Sequence, residues 1–192
     1  MIKILNTIKR VSVANKNNIF NSTNSLKILT FLAENTGNDF LGIEIQHAIS
    51  VSRAGVYIAI HELIKQGLVT KIQKGKTFIY SLANNNPIVK QIKVLLNIKL
   101  LESLVLKLSN SSKKIILYGS SSRGEDYKDS DLDIFVLSKE PLITQKIINN
   151  VKMKRKIQAI IKTPAEMAEF NEKEKVFIDE INRGIIIWEE KQ

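Results

Sequence analysis

Residues 117–137, LYGSSSRGEDYKDSDLDIFVL, restrict the possible folds of this chain more than any other stretch. An apolar run ends at Gly119-Ser120, and a second apolar run opens with Asp131-Leu132-Asp133. Residues i and i+2 of a β-strand point to one face, so we expect the two aspartates to project together. Two neighbouring carboxylates repel each other unless a cation lies between them. The stretch therefore predicts a strand, a polar turn and a second strand, with an oxygen-ligated metal, Mg²⁺ or Mn²⁺, at Asp131 and Asp133.

The polar turn has the composition of a phosphate-binding loop. Gly119 allows the backbone to approach a phosphate closely, and Ser120 with the amides after it can donate hydrogen bonds to phosphate oxygens. Arg123 adds a fixed positive charge. We therefore predict that Gly119, Ser120 and Arg123 bind a phosphate group, such as that of a nucleotide. A polar turn beside a fortuitous acidic pair is the alternative.

Composition excludes several other chemistries. The 192 residues contain no cysteine and two histidines, which excludes disulfides, thiolate nucleophiles and cysteine-ligated zinc and disfavours a histidine-rich metal site. No apolar run approaches the ~20 residues of a membrane span, and the first residues are too interrupted for a secretory signal. We expect a cytoplasmic protein with no membrane partner. The net charge of +10, with 11 Lys and Arg against 4 Asp and Glu in residues 1–90, favours a polyanionic partner.

Three asparagines before Pro87, in LANNNPIVK, indicate a domain boundary. We predict an arm at residues 1–20, a first domain at 21–85, a linking helix at 86–110 and a second domain at 111–192. The arm could be an extended segment, a dimerisation element or a strand. The linking helix has too many apolar positions to face water all round, so it packs under the second domain or bridges the two.

Apolar residues at helical spacing predict three short helices in the first domain, at residues 22–35, 40–49 and 52–67. A short turn separates the second helix from the third, which is the arrangement of a helix-turn-helix. Alternating apolar residues then flank Lys74-Gly75-Lys76, so residues 68–82 predict a β-hairpin with a basic tip.

Residues 52–69, SRAGVYIAIHELIKQGLV, resemble the winged helix-turn-helix family of DNA-binding domains. The resemblance implies a homodimer whose third helix enters the major groove of double-stranded DNA and whose hairpin, or wing, contacts phosphates or a neighbouring minor groove. Arginine can bind guanine in a bidentate manner, and lysines neutralise phosphates. A protein-interaction module is the alternative. The residues expected at the DNA are Ser52, Arg53, Tyr57, Lys71, Lys74 and Lys76.

The second domain is predicted to combine strands and helices. Apolar runs predict helices over residues 143–154 and 164–184, and strands at 115–118, 131–137, 155–164 and 185–188. Thr163, Pro164 and Glu166 form the capping box that starts the later helix, and Gly184 ends it. Trp188 is expected to pack in the core rather than stack on a base.

The pattern G-S-x10-D-x-D, with Arg-Gly after the serines, is similar to that of the nucleotidyltransferase (polymerase-beta-like) superfamily, above all its minimal branch. The resemblance covers residues 88–190 and implies an α/β (α+β) fold with a mixed sheet flanked by helices. It further implies that Gly119 and Ser120 hold a nucleoside triphosphate and that Asp131 and Asp133 are catalytic carboxylates that bind Mg²⁺. The reaction of the superfamily is attack of a hydroxyl on the α-phosphorus, with pyrophosphate leaving.

The superfamily uses a third carboxylate on a later strand, and there the sequence departs from the pattern. The corresponding slot is Ile157-Gln158-Ala159. A glutamine side chain is neutral, a poor Mg²⁺ ligand and no base. Glu140 or Glu166 could substitute from a loop, although the capping box already accounts for Glu166. Catalytic competence therefore stays open.

Three functions are compatible with the whole sequence. The run KTPAE at 162–166 resembles winged-helix proteins fused to nucleotidyltransferase-like domains, which are regarded as transcriptional regulators and imply a DNA-binding regulator that senses a nucleotide. The intact aspartate pair favours an antitoxin-type enzyme that transfers a nucleoside monophosphate to a hydroxyl on a toxin, another protein or a small molecule. An adaptor with neither activity is the third.

Overall fold

The computed structural model describes residues 22–191, except for the side chains of residues 168, 169 and 171–173. The chain divides into two compact units between Asn86 and Pro87. The predicted arm at residues 1–20 lies outside the described residues. Within the described part, no helix is both long enough and apolar enough to cross a membrane.

The N-terminal unit contains three helices and a three-stranded antiparallel sheet. The helices are α1 (Thr23–Glu34), α2 (Gly42–Ile49) and α3 (Arg53–Lys65), and the strands are β1 (Phe40–Leu41), β2 (Val69–Lys74) and β3 (Thr77–Leu82). The strand order is β1-β3-β2. Two helices joined by a turn and followed by a hairpin are the architecture of a winged helix-turn-helix.

Capping residues and apolar spacing account for the helices of this unit. The Ser22 hydroxyl accepts a hydrogen bond from the Ser25 N–H at 3.2 Å and starts α1. Gly67, at φ +69°, follows α3 and allows the chain to turn into β2. The core is formed by buried side chains at helical spacing, mainly Ile28, Leu29, Leu32, Ile45 and Leu63.

The wing is a tight hairpin. Lys74 pairs with Thr77 across the turn, so the loop between β2 and β3 consists of Gly75 and Lys76. Gly75 has φ +61°, a left-handed conformation that glycine adopts without strain. The hairpin with a basic tip, predicted from the alternation around these lysines, is therefore present.

The C-terminal unit contains a four-stranded mixed sheet with helices on both faces. The strands are β4 (Ser112–Tyr118), β5 (Leu132–Ser138), β6 (Ile157–Lys162) and β7 (Ile185–Glu189), in the order β6-β5-β4-β7. The pair β5–β6 is parallel and the other two pairs are antiparallel. The helices are α4 (Pro87–Leu108), α5 (Gly119–Arg123), α6 (Pro141–Asn150), α7 (Pro164–Lys173) and α8 (Lys175–Asn182).

Both faces of this sheet are buried. Alternate residues of β4 face opposite sides, so Ile115 and Leu117 pack with α4, while Ile116 and Tyr118 pack with α8. Trp188 packs against the α4 side, as predicted. The side chains that α4 buries against the sheet make it part of the core of the C-terminal unit; they are Leu101, Leu104 and Leu108.

Three predicted helix bounds are wrong. The helix expected from residue 40 begins only at Gly42, because Phe40 and Leu41 pair with β3. The helix expected at 143–154 spans Pro141–Asn150, since Pro141 favours a helix start and the backbone becomes extended at Val151. The single helix expected at 164–184 is divided at Glu174, whose φ of −120° and ψ of 46° are not helical.

Candidate active site and nucleic-acid interface

The predicted Gly119 turn and the predicted aspartates meet at one end of β4 and β5. Tyr118, the last residue of β4, is the antiparallel partner of Asp133 in β5. Gly119 follows with φ +70°, and a Cβ atom there would lie 2.6 Å from Asp133 Oδ2. A side chain at position 119 would therefore collide with the carboxylate. Glycine is needed here both for the left-handed backbone and for the close approach.

The two aspartates influence each other electrostatically. Asp131 directly precedes β5, and Asp133 is the second residue of the strand. Burial raises the pKa of the Asp133 carboxyl, the negative charge of Asp131 raises it further, and the Arg155 guanidinium opposes the rise. An oxygen-preferring divalent cation between the carboxylates would relieve both the burial and the repulsion. The donor set therefore fits Mg²⁺ or Mn²⁺, although the described residues contain no group of three or more potential acidic, histidine or cysteine ligands.

The position of the missing third carboxylate is now defined. Gln158 in β6 is the parallel register partner of Asp133, and side chains of directly paired residues lie on the same face of a sheet. Glu140 and Glu166 follow the carboxyl ends of β5 and β6, whereas Asp131 precedes β5, roughly 20 Å away for a strand of this length. Neither glutamate takes the place of the third carboxylate, because both lie at the opposite edge of the sheet.

Helix α5 ties the turn to the aspartates. The Ser122 hydroxyl donates to Gly119 O at 2.8 Å, and the Ser121 hydroxyl donates to Asp131 O at 3.2 Å. Gly124 ends the helix at φ +66°, and a Cβ atom there would lie 2.1 Å from Lys90 O in α4. The glycine of the Arg-Gly pair is thus required by a backbone contact. Ser120 is half-buried within the same helix.

Arg123 has two carboxylate partners in the structure. Its Nη1 lies 2.6 Å from Glu180 Oε1, and its Nε lies 3.1 Å from Glu125 Oε2. Hydrogen bonds to Glu180 and then to Glu125 raise the pKa of the guanidinium. A phosphate contact by Arg123 would have to share or displace these partners, so its nucleotide-binding role stays a prediction.

Arg155 and its partners were not predicted from the sequence. The guanidinium lies in the segment between α6 and β6 and contacts the backbone just before Asp131 and β5. Lys156 Nζ lies 3.5 Å from Asp131 Oδ2, but the lysine side chain is 76% exposed, so this ion pair is weak. The sequence signal was a basic run, KMKRK, which is also typical of a solvated loop.

Three of the six residues predicted to contact DNA line one groove of the N-terminal unit. Arg53, Tyr57 and Lys76 line a groove of about 850 Å³ between α3 and the wing. Tyr57 is 63% exposed and packs against His61, with ring centroids 4.4 Å apart. Ser52 instead caps α3, because its hydroxyl accepts from the Gly55 N–H at 3.2 Å.

The lysines of the wing are solvent-exposed. Lys74 and Lys76 lie at the tip of the hairpin, and Lys71 lies further along β2 with its ammonium 3.5 Å from the centre of the Phe78 ring. This contact holds Lys71 against the wing and leaves its charge at the surface. Exposed ammonium groups beside a helix-turn-helix are suited to phosphate contacts.

Comparison with known proteins gives the following similarities. Residues 103–192 match the family model described as Polymerase beta, Nucleotidyltransferase. None of the curated proteins matches the chain. Reduced HlyU from Vibrio cholerae is 22% identical, over 54% of this chain and 97% of that chain, with a TM-score of 0.34.

Two mycobacterial structures are similar to the same extent. One is the homodimeric winged helix-turn-helix DNA-binding domain Mb0332 from Mycobacterium bovis, a possible ArsR-family transcriptional regulator; it is 21% identical over 55% of this chain and 88% of that chain, with a TM-score of 0.34. The other is Rv0081 from M. tuberculosis, 18% identical over 57% of this chain and 94% of that chain, with a TM-score of 0.33.

The fold and the site together define a protein with a winged helix-turn-helix unit followed by a nucleotidyltransferase unit. Residues 103–192 of the C-terminal unit are similar to the polymerase beta nucleotidyltransferase family, whose model they match. The resemblance inferred from Gly119-Ser120 and from the Asp131 and Asp133 pair is thereby confirmed at the level of the family.

Proposed function

We propose that the chain is a DNA-binding transcriptional regulator whose nucleotidyltransferase domain binds a nucleoside triphosphate with Mg²⁺ and senses it, with little or no transfer activity. The observation that carries this proposal is the register of Asp133 with Gln158. The turn and two carboxylates needed for binding are retained, while a neutral side chain stands where a third carboxylate would complete the site and act as a base.

The nucleotide half of the proposal depends on the close packing of Gly119 and Asp133. Position 119 has no side chain, so the backbone of the turn lies directly against the Asp133 carboxylate, and a phosphate bound by the turn would be close to both aspartates. Mg²⁺ or Mn²⁺ bound at Asp131 and Asp133 would neutralise these carboxylates and the phosphate oxygens of the nucleotide. The chain itself contributes the position of the two carboxylates and of the turn.

The DNA half depends on the groove between α3 and the wing. Arg53 is the first residue of α3 and lies at its exposed end, where side chains of a recognition helix reach base edges. Lys74 and Lys76 extend from the wing toward the phosphates of the same duplex. Together they would supply one direct base contact and two phosphate contacts.

Nucleotide binding is tested by calorimetric titration of ATP, GTP, CTP and UTP with and without Mg²⁺. We expect binding that requires Mg²⁺ and weakens at least about tenfold in Asp131→Asn and Asp133→Asn, because each variant removes a carboxylate ligand. Asp129→Asn is the matched control, since Asp129 lies in the same turn and is exposed. Absence of binding at millimolar nucleotide, or equal binding by all variants, would overturn this half.

DNA binding is tested by selection from a random double-stranded library, followed by affinity measurements at several salt concentrations. We expect a preferred sequence, and Arg53→Ala should lose about 1–3 kcal/mol of discrimination at one base pair. Association that is salt-sensitive but indifferent to sequence would refute the regulator.

An active transferase is the second candidate, and the retained Asp131 and Asp133 favour it. Two carboxylates held together without a cation are unfavourable, as the raised pKa of Asp133 reflects, so a chain that had lost all metal-dependent function would have little reason to keep both. Mass analysis of labelled nucleotide incubated with the protein and candidate acceptors decides between the two. Transfer of a nucleoside monophosphate to a protein or small-molecule hydroxyl that Asp131→Asn abolishes would replace the sensor with the enzyme.

A further inference from the structure

Arg155 uses its whole guanidinium within the C-terminal unit. The side chain is 12% exposed and donates one hydrogen bond from each of its five N–H groups. Nε donates at 2.7 Å, Nη1 donates at 2.9 and 2.7 Å, and Nη2 donates twice at 3.2 Å. The acceptors, in that order, are Ser130 O, Asn97 Oδ1, Asp126 Oδ2, Ser121 Oγ and Asp131 O.

The Arg155 guanidinium shares one buried carboxylate, that of Asp126, with a second cation, Lys93. The Asp126 side chain is 5% exposed, and its Oδ2 accepts from Arg155 and, at 3.2 Å, from Asn97 Nδ2. Lys93, which is 4% exposed, donates to the backbone carbonyl of Asp126, and its Nζ lies 3.8 Å from Oδ1. Burial lowers the pKa of Lys93, while Asp126 opposes that shift.

A buried ionic cluster of this kind adds little net stability, because desolvation of the charges offsets their attraction. An apolar cluster of similar volume would hold α4 against the loop equally well. The geometry that only the guanidinium provides is directional, since its planar fork fixes several acceptors at defined angles. The acceptor atoms that the guanidinium fixes therefore indicate the function of the cluster.

Three of those acceptors belong to the two segments that form the candidate nucleotide site, the turn after β4 and the start of β5. Two are the carbonyl oxygens of Ser130 and Asp131, which immediately precede β5 and set the entry angle of the strand that carries the aspartates. A third is the hydroxyl of Ser121, which follows Gly119-Ser120 and itself donates to Asp131 O. One side chain thus joins the phosphate turn to the carboxylate strand.

We infer that Arg155 is a positioning residue for the nucleotide site, which fixes the spacing between the Gly119-Ser120 turn and the Asp131 and Asp133 carboxylates. The inference rests on the proposed nucleotide binding and assigns Arg155 no contact with the ligand. Loss of a hydrogen-bonding partner that orients a metal ligand typically weakens metal binding roughly 10–100-fold. We expect the affinity for Mn²⁺·ATP to fall by a similar factor when the guanidinium of Arg155 is removed.

The test uses the full chain and three variants. Arg155→Lys keeps the positive charge beside Asp126 but has three donors on a flexible stem, and Arg155→Met removes the charge as well. Lys156→Met is the matched control, because it removes the neighbouring cation beside Asp131 without removing any backbone contact. Mn²⁺ binding with ATP is measured by electron paramagnetic resonance, and thermal midpoints are recorded for every protein.

We expect Mn²⁺·ATP to bind roughly tenfold or more weakly to Arg155→Lys and more weakly still to Arg155→Met, with less than about a threefold change in Lys156→Met. A merely structural role predicts lower thermal midpoints, with the affinity of the folded protein unchanged. Equal affinity of wild type and Arg155→Lys would therefore refute the inference. No binding by wild type would instead refute the proposed function.

Amide hydrogen exchange tests the positioning role of Arg155 without any ligand, so it distinguishes failure of this inference from failure of the proposed nucleotide binding. In Arg155→Lys we expect faster exchange of the amides in residues 119–123 and 130–133, with the β4–β7 ladder unchanged. Exchange that rises equally throughout the C-terminal unit, or in neither segment, would overturn the positioning role even if the protein bound no nucleotide.

Discussion

The two candidate sites of this protein differ in how their side chains are fixed: those at the DNA-facing groove are mostly exposed, and those around the nucleotide site are buried in a hydrogen-bond network. Around the DNA-facing groove, Tyr57 is largely exposed and the lysines of the wing end in solvent. Around the nucleotide site, Ser121 and Asp126 are buried, and the Arg155 guanidinium connects them. Exposed residues with separate contacts act nearly independently, whereas residues of one buried network are coupled. The effects of substitutions should therefore be small and additive at the DNA-facing groove, and larger and coupled around the nucleotide site.

The largest difference is expected between two glycines. Gly75 and Gly124 both have φ above +60°, but a Cβ atom meets nothing within 4 Å at Gly75 and lies 2.1 Å from Lys90 O at Gly124. Gly75→Ala should lower stability by about 1 kcal/mol through backbone strain alone. Gly124→Ala should destabilise the C-terminal unit by more than ~4 kcal/mol, because a backbone collision cannot relax by rotating a side chain.

Denaturant unfolding followed by circular dichroism, with amide spectra to separate the units, measures both effects. Gly75→Asn serves as the control, since asparagine tolerates the left-handed region. If the two alanine variants lost similar amounts of unfolding free energy, backbone conformation rather than the collision with Lys90 would decide the effect at position 124. The proposed difference between the two units would then not hold for these glycines.

Much of the fold was predictable because its signals are local. The Thr163 cap, the Gly75 turn and the period of apolar residues depend on neighbours within about four positions. The division at Glu174 was not predictable, because the sequence around it keeps a helical composition through to Gly184. Pairing of Phe40 and Leu41 with β3 depends on residues 40 and 38 positions later, so the helix pattern alone could not exclude it.

The residues of the nucleotide site show the same difference between local signals, which the sequence reveals, and long-range contacts, which it does not. Asp131 and Asp133 were predicted because strand alternation places both on one face, and the neutral slot at Gln158 was predicted from the superfamily resemblance together with the strand pattern. The role of Arg155 depends on partners 24 to 58 positions away, and a basic run gives no signal for which member is buried. Arg123 similarly finds Glu180 at a separation of 57 residues.

The wing lysines give the next largest expected effect. Replacing both Lys74 and Lys76 with alanine should weaken DNA binding roughly tenfold and reduce the slope of log K against log salt by about 2, if each neutralises one phosphate. Each single variant should account for about half of the change, because the two side chains share no partner. Fluorescence anisotropy at four salt concentrations measures the slope.

Lys27→Ala is the control, since Lys27 is exposed on α1, outside the groove between α3 and the wing. Nucleotide binding should be unchanged in all of these variants. A slope that stays at the wild-type value after both substitutions would exclude the wing from the DNA interface, and strong coupling between the lysines would contradict the independence argued for this surface.

A smaller effect is expected from restoring the third carboxylate. Gln158→Asp places a third acid beside Asp133 on the same face of the sheet, so Mg²⁺ affinity in the presence of ATP should rise about threefold to tenfold. Gln158→Asn is the matched neutral control. Calorimetry gives the affinity, and the mass assay described for transfer shows whether the added base also introduces activity.

Unchanged Mg²⁺ affinity in Gln158→Asp would show that position 158 lies outside the metal site despite its register. A rise in affinity without transfer would separate binding from catalysis and would favour the sensor over the enzyme.

The smallest expected effect is a gain in stability. Asp133→Asn removes a charge whose pKa is raised by burial and by Asp131, so in chelator at neutral pH the variant should melt roughly 2 °C above wild type, for less than about 1 kcal/mol. A folded-state pKa above the ordinary value means that wild-type stability falls as pH rises from about 4 through the raised pKa. The difference between the two proteins should grow over that window and vanish below it.

Calorimetric melting from pH 4 to 8 measures this difference, with Asp129→Asn as the control that removes an exposed charge from the same turn. Mg²⁺ and ATP should reverse the order, because wild type gains the binding energy that Asp133→Asn has lost. A variant less stable than wild type in chelator would mean that the Asp133 carboxylate is satisfied within the folded chain. The carboxylate would then no longer favour a bound cation, and the nucleotide site would lose the main electrostatic reason for its assignment.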